Sequence, residues 1–405
     1  MPISPSGNPT TYFLRSKGSA AFSGKIGGGV RIAITLGDPA GIGPEVALKA
    51  VSMLPKRFRR NIILLGPASF YSELTRKLKL NLKFKHFEDQ AVISSVARNP
   101  LEEISRPFGP RDDSSTEIAA PRPPKSMADP RLPAGRQARN DRGGSPLSQD
   151  DGRIVCLFDG NFPKKIIHSR SIRSQTVAVV RSIELAVNLA IARGIDAIVT
   201  PPINKAGLKK AGFDIPGHTE FLAKLSGTKH FEMMLVGGNL KVVLVTRHTP
   251  IKEVPIKITR KRVEEAILLT DQELRKSFGI KRPRLVVCGL NPHAGEQGTI
   301  GREEIKEIAP AVRNAKKKTN AIIVGPFSPD VLFHDAYLGR YDAEICMYHD
   351  QGLIPLKMIS RGSGVNVTLG LPFVRTSPDH GTGYDIASRF MADPGSMIEA
   401  LRLAC

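Results

Sequence analysis

The chain contains no tryptophan, and only 6 of its 405 residues are tyrosine. Proteins that track a nucleic-acid strand stack its bases on aromatic rings, so a base-stacking platform is poorly supplied here. Cysteine is also scarce: Cys156, Cys288, Cys346 and Cys405 stand far apart, and none forms a CxxC. Two of them sit in the apolar runs LVVCGL and AEICMY, where a free thiol behaves as a small buried hydrophobe. A reducing cytoplasm fits this usage. No apolar run approaches the ~18 to 20 residues that a bilayer-spanning helix requires, which argues against an integral membrane protein.

Acidic residues are outnumbered, 38 against 59 Lys plus Arg, for a net charge of +21. Long-range attraction then favours nucleic acid, anionic lipid or an anionic substrate. The excess is scattered (Arg57, Arg59, Arg60; Lys209, Lys210; Lys316 to Lys318), without a dense basic stretch interleaved with aromatics, so a solvated basic surface is the plainer reading.

Apolar residues make up 41% of the chain, enough for a packed interior. The length suits one large domain or two smaller ones sharing a cleft. Residues 1 to 30 are rich in Ser and Gly, lack the apolar core of a secretory signal, and read as a disordered extension. A second irregular stretch, about residues 100 to 152, holds nine prolines between Pro100 and Pro146 and almost no apolar cluster. It cannot bury enough surface to offset its chain entropy and reads as a disordered insert, a kind of loop that chain closure tolerates.

Elsewhere short apolar, β-branched runs alternate with amphipathic stretches. RIAIT (31–35), NIILLG (61–66), DAIVT (196–200), EMMLVG (232–237), KVVLVT (241–246), RLVVCGL (284–290), AIIVG (321–325) and EICMY (344–348) read as strands buried on both faces; 175–193, 260–277 and 302–317 read as helices. This alternation predicts an α/β protein with a mainly parallel sheet.

Polar residues follow the strands directly. DAIVT runs into PPINKAG with Lys205, KVVLVT into Arg247 and His248, RLVVCGL into NPHAGE with His293, and EICM into Tyr348, His349 and Asp350. Ligands in open α/β sheets bind outside the carboxyl ends of strands, so one cleft is expected to collect these groups. Three histidines at strand ends suggest imidazole ligands for a divalent metal, with Asp330 in GPFSPD as a carboxylate neighbour. Their wide spacing fixes nothing by itself, and a lone loop histidine is usually just hydrogen-bonded. TLGDPAGIGPE (35–45) matches neither phosphate-binding glycine fingerprint and reads equally as a strand-to-helix turn with Pro44 in the first helical turn. The stretch 360–387 places Asn366, Arg375, Asp379, His380 and Asp385 among glycines, with Lys357 upstream; these cations suit a phosphate or carboxylate, or a structural ion pair.

Taken in order, GDPAGIGPE, TPPINKAG, GHTEFLA, GLNPHAGE, MYHDQGLIPLK and GVNVTLGLPFVRTSPDHGT resemble the 4-hydroxythreonine-4-phosphate dehydrogenases of pyridoxal phosphate biosynthesis over residues 31 to about 98 and 155 to 405. The resemblance implies an isocitrate/isopropylmalate-dehydrogenase-like fold with two α/β lobes around a cleft, occupying 31–405. It implies a homodimer with a shared active site and one divalent metal per subunit (Zn, Mg or Co) held by His248, His293 and His349. His218, Thr219, Lys357, Asn366 and Arg375 would contact a small phosphate substrate. His380, Gly381, Thr382 and Asp385 of HGTGYDIA would lie against NAD or NADP. The implied reaction oxidises the C3 alcohol of 4-phosphooxy-L-threonine and decarboxylates the β-keto acid to 3-amino-2-oxopropyl phosphate, with Lys205, Asp330 and a metal-bound water as candidates for the proton-removing group. A neighbouring reading keeps the fold and metal but takes 4-phosphorylated threonate or erythronate; a remote one is a basic nucleic-acid binding module using the Arg-rich insert. A cytoplasmic enzyme without nucleic-acid or membrane partners is the expectation.

Overall fold

A computed structural model of the chain describes residues 29–86, 154–157, 166–170, 172–215 and 217–405. The expected insert at 100–152, and the extension at 1–30 apart from residues 29 and 30, lie outside the described residues.

The strands are β1 (Ile32–Ile34), β2 (Ile62–Leu65), β3 (Phe84–His86), β4 (Ile154–Leu157), β5 (Ala197–Val199), β6 (Glu232–Gly237), β7 (Leu240–Leu244), β8 (Arg284–Cys288), β9 (Ile322–Phe327), β10 (Ala343–Cys346), β11 (Val365–Leu369) and β12 (Val374–Pro378). They join one sheet in the order β3-β4-β2-β1-β5-β12-β11-β6-β7-β10-β8-β9. Every residue of β1, β2, β5 and β10 is buried, which is why their sequences are apolar instead of alternating, with Glu344 of β10 the one exception among these four strands. Each such Val, Leu or Ile contributes roughly 1.5 to 3 kcal/mol by leaving water.

Helices cover the faces. Arg260–Lys276 shows the sequence logic: the Thr259 side chain caps the first turn by accepting from the Arg262 N–H, and Val263, Ala266, Ile267, Thr270 and Leu274 form the buried stripe. The other expected helices occur as Arg173–Ile191 and as a π turn, Glu304–Ile308, that runs into Ala309–Lys318. Gly43–Met53, with Pro44 in its first turn, confirms the strand-to-helix reading of TLGDPAGIGPE. Among the described residues, no helix is long and apolar enough to cross a membrane.

The α/β, mainly parallel expectation holds. Antiparallel pairing is confined, among the described residues, to β12–β11, β11–β6 and β6–β7. Three successive reversals turn β7, β10 and β8 against β1, β5 and β12. The expectation that all strand-end loops share one edge is therefore corrected: the carboxyl ends of the two halves face opposite edges. What joins them is the polar face of β12 and β11 between the halves.

Candidate active site

His248 follows β7, His349 follows β10 and His293 follows β8, three adjacent strands of one direction. Their loops are tied together. Thr246 donates through N–H (3.1 Å) and Oγ1 (2.7 Å) to the Met347 carbonyl, linking the His248 and His349 loops. The buried Gln351 side chain accepts from the Met347 N–H and donates to the Gly289 carbonyl, both at 2.7 Å, linking the His349 and His293 loops.

The imidazoles of His248 and His349 face each other with ring centroids 5.9 Å apart. Asp350 holds Nδ1 of His349 at 2.7 Å, which leaves Nε2 as the ligand nitrogen. Burial, helped by the Lys205 ammonium, holds His248 below the usual histidine range, so its imidazole stays neutral and able to bind a metal. His293 does not join them. It acts instead on Asp330, an exposed carboxylate that the Ser328 hydroxyl, then a backbone N–H, then His293 hold below its ordinary range. No group of three or more His, Cys, Asp or Glu side chains placed to hold a metal ion occurs among the described residues. Within one chain the expected trio is thus a pair, with His293 and Asp330 apart from it. Two oriented imidazoles are suitable donors for a first-row divalent ion, but they leave its coordination incomplete.

At the junction of the sheet halves lies a buried cation. Arg375 of β12 is 2% exposed, and its guanidinium bonds only hydroxyls, Thr200 Oγ1 from Nε (3.2 Å) and Nη2 (2.7 Å) and Thr368 Oγ1 from Nη1 (3.0 Å). Burial lowers its pKa to about 10, so it remains a cation at neutral pH. Thr219 packs its hydroxyl 3.5 Å from that of Thr368. His218, held well below the usual range by burial and by the positive charges of Arg375 and Lys205, is a neutral imidazole whose Nε2 is buried without a protein partner. Asn366 Oδ1 is likewise buried and unpartnered. Native structures rarely leave such groups unpaired without a functional reason. Lys205 is thus near both His218 and His248, as expected of a cleft group. Lys357 sits farther along, exposed and 3.5 Å from Asp379.

At the carboxyl edge of β1, β5 and β12 three loops interlock. Ile42 N–H donates to the Thr382 carbonyl at 2.9 Å, and a Cβ on Gly41 would come within 2.5 Å of that oxygen. Tyr384 donates its hydroxyl to the buried Asp38 and accepts from Asn204 Nδ2 at 2.7 Å. Burial raises the Asp38 pKa, partly offset by Tyr384 and the Ala40 N–H. His380 Nε2 is buried without a protein partner, whereas Gly381 and Asp385 are exposed. Such an edge is where nucleotides bind in open α/β sheets, and close backbone approach between glycine-rich loops suits one.

Asp38, Tyr384 and Asn204 belong to this arrangement although spacing alone does not single them out. Thr200, Thr368 and Glu220, 3.6 Å from Arg247, likewise extend the pocket. Each lies within a quoted motif, which is the signal that could have found it.

Residues 155–404 match the family model described as pyridoxal phosphate biosynthetic protein PdxA. A 4-hydroxythreonine-4-phosphate dehydrogenase of Aquifex aeolicus is 40% identical over 92% of this chain and 97% of its own length. One of Desulfosudis oleivorans is 37% identical over 92% and 94%. Among solved structures, the 4-hydroxythreonine-4-phosphate dehydrogenase of Burkholderia phymatum superposes with a TM-score of 0.70 at 34% identity, covering 93% of this chain and 97% of that one.

Proposed function

This chain belongs to the PdxA family of pyridoxal phosphate biosynthesis, and from that premise we propose that it is a 4-hydroxythreonine-4-phosphate dehydrogenase, oxidising and decarboxylating 4-phosphooxy-L-threonine with NAD or NADP. The observation that carries the reading is Arg375, a buried cation whose partners are hydroxyls, beside neutral His218 and the facing imidazoles of His248 and His349. That is a pocket for a small polyanion next to a metal-binding pair.

Arg375 and Lys357 neutralise the substrate's phosphate or carboxylate. His218, Thr219 and Asn366 supply the remaining polar contacts and orient the C3 alcohol, a positioning effect that can contribute several kcal/mol. A divalent ion held by His248 and His349 would supply Lewis acidity at the alcohol oxygen and, after oxidation, at the ketone. NAD(P)⁺ against the 380–385 loop would accept the hydride. Lys205, close to both His218 and His248, is the group proposed to take the hydroxyl proton, which it does only as the free amine, after its ammonium has released a proton of its own. Asp330 belongs to the opposite half-site.

The separation of His293 and Asp330 from the pair supports a homodimer. Two-fold symmetry would bring the His293 loop of one subunit to the His248 and His349 of the other, twice over. Both helices concerned expose apolar side chains that such an interface would cover: Ile354 (59% exposed) and Met358 (74%) on His349–Ser360, and Val331 (66%) on Pro329–Tyr337. The two lobes would meet at β11 and β6.

The test is NAD(P)H formation with 4-phosphooxy-L-threonine beside 4-phosphorylated threonate and erythronate. The proposal expects the threonine ester to have the highest kcat/KM; equal or greater values for the acid phosphates would replace it with the neighbouring reading.

A further inference from the structure

His293 opens an unusual piece of backbone. His293, Ala294, Gly295, Glu296 and Gln297 have successive φ values of 52°, 52°, 80°, 45° and 57°, a left-handed turn in which only one residue is glycine. For a residue with a Cβ this conformation costs roughly 1 to 2 kcal/mol, so the surroundings must impose it.

Glu304 grips the residues that lead into this turn. Its carboxylate is buried at the start of the π turn and reaches back beneath the loop. Oε1 accepts from the N–H groups of both Leu290 and Asn291 at 2.7 Å, and Oε2 accepts from Asn291 Nδ2 at 3.0 Å. Asn291 Nδ2 also reaches Glu303 Oε2 at 2.7 Å. The same carboxylate lies against the inner side of the turn: a Cβ on Gly295 would stand 2.6 Å from Oε2, and one on Gly289 would stand 3.2 Å from Oε1. Among the described residues Glu304 has no basic partner; backbone and amide N–H groups hold it, as in an anion-binding nest.

We propose that Glu304 is a positioning residue that fixes the left-handed turn His293–Gln297 and so sets the direction in which His293 is offered to a metal. This rests on the reading of His293 as a metal ligand. A helical or extended 293–297 segment would carry the imidazole elsewhere, and the carboxylate is what makes the strained form the stable one. The carboxylate bonds Leu290 and Asn291, just ahead of His293, so its effect passes through His293.

The experiment is titration of the metal-free full-length protein with Co²⁺, read by the visible absorption of the bound ion, for wild type, Glu304→Gln, His293→Ala and the double variant Glu304→Gln with Ala294→Gly. Glu304→Gln is expected to weaken Co²⁺ binding on the order of 10- to 100-fold and to alter the absorption band, as loss of a ligand-orienting group does. Ala294→Gly, which makes positive φ inexpensive, is expected to recover part of that loss. Gly295→Ala, which forces a methyl against the intact carboxylate, is expected to weaken binding as well and serves if Glu304→Gln does not fold. Wild-type Co²⁺ affinity and spectrum in Glu304→Gln, while His293→Ala loses affinity, would overturn the role of Glu304 alone. Undiminished affinity in His293→Ala would overturn the ligand reading and the proposal with it.

Discussion

Gln351 donates through Nε2 to the Gly289 carbonyl at 2.7 Å, and so ties the loop bearing His349 to the loop bearing His293 across two neighbouring strands. Its Oε1 accepts from the Met347 N–H on the other side. Replacing Gln351 by Leu would strand two buried backbone groups, at a cost of about 1 to 3 kcal/mol each. The expected outcome is a clear fall in thermal stability together with weaker divalent-metal binding; differential scanning calorimetry and a metal titration check both. Unchanged metal affinity would mean that the tie is structural only.

Arg375→Lys keeps the charge but cannot bond Thr200 and Thr368 in the same fork. Loss of a charge-assisted contact to a desolvated phosphate of about 1.5 to 3 kcal/mol corresponds to a fall in kcat/KM of roughly 10- to 100-fold. Most of it is expected in KM, measured by initial rates against phosphate substrate. An unaltered KM would remove Arg375 from the substrate pocket.

Tyr384→Phe deletes the hydroxyl shared by Asp38 and Asn204 and loosens the loop assigned to the nicotinamide cofactor. A rise in KM for NAD(P)⁺ of several-fold is expected, with KM for the phosphate substrate nearly constant, since a neutral hydrogen bond contributes about 0.5 to 1.5 kcal/mol. Varying each reactant separately distinguishes this from general damage, which would move both.

Glu344 is fully buried in β10, and burial raises its pKa to about 8. The unfolded chain releases this proton near the ordinary value of 4.5, so the folded state binds it more tightly. Stability from this group is therefore complete at acid pH and is lost as pH rises from about 4.5 through about 8. Glu344→Gln cannot ionise; the excess of its melting temperature over that of wild type should be small near pH 5, grow as pH rises toward about 8, and level off above that at some degrees. Parallel melting curves across that range would refute the burial assignment.

The strands buried on both faces are legible in the sequence because such strands are written as continuous apolar runs, as in β1, β2 and β5. β11 and β12 are not, for an instructive reason: Asn366, Thr368 and Arg375 interrupt their apolar character, and these polar residues line the proposed substrate pocket. Strand direction is absent from composition, so the reversal at β11 and β6 can be learned only from pairing. The motif loops single out His248, His349, His218 and Arg375, and the fold brings both His248 and His218 under the influence of the Lys205 charge. The spacing of the histidines does not tell that His293 stands apart within one chain; only the family resemblance, with its shared dimer site, implies it. Glu304 is hidden likewise, since a buried acid bonded to backbone N–H groups looks like any surface glutamate of an amphipathic stretch.

The shared site is tested most directly by mixing inactive variants. His248→Ala and His293→Ala, unfolded together and reassembled, form mixed dimers in which one of the two sites receives its His248 and its His293 from unmutated positions. With random pairing, about a quarter of wild-type activity and metal content should return, whereas mixing His248→Ala with His349→Ala should restore none. Mixed dimers that form yet show no recovery in the first combination, or recovery in the second, would contradict an active site built from the His248 and His349 of one subunit and the His293 of its partner.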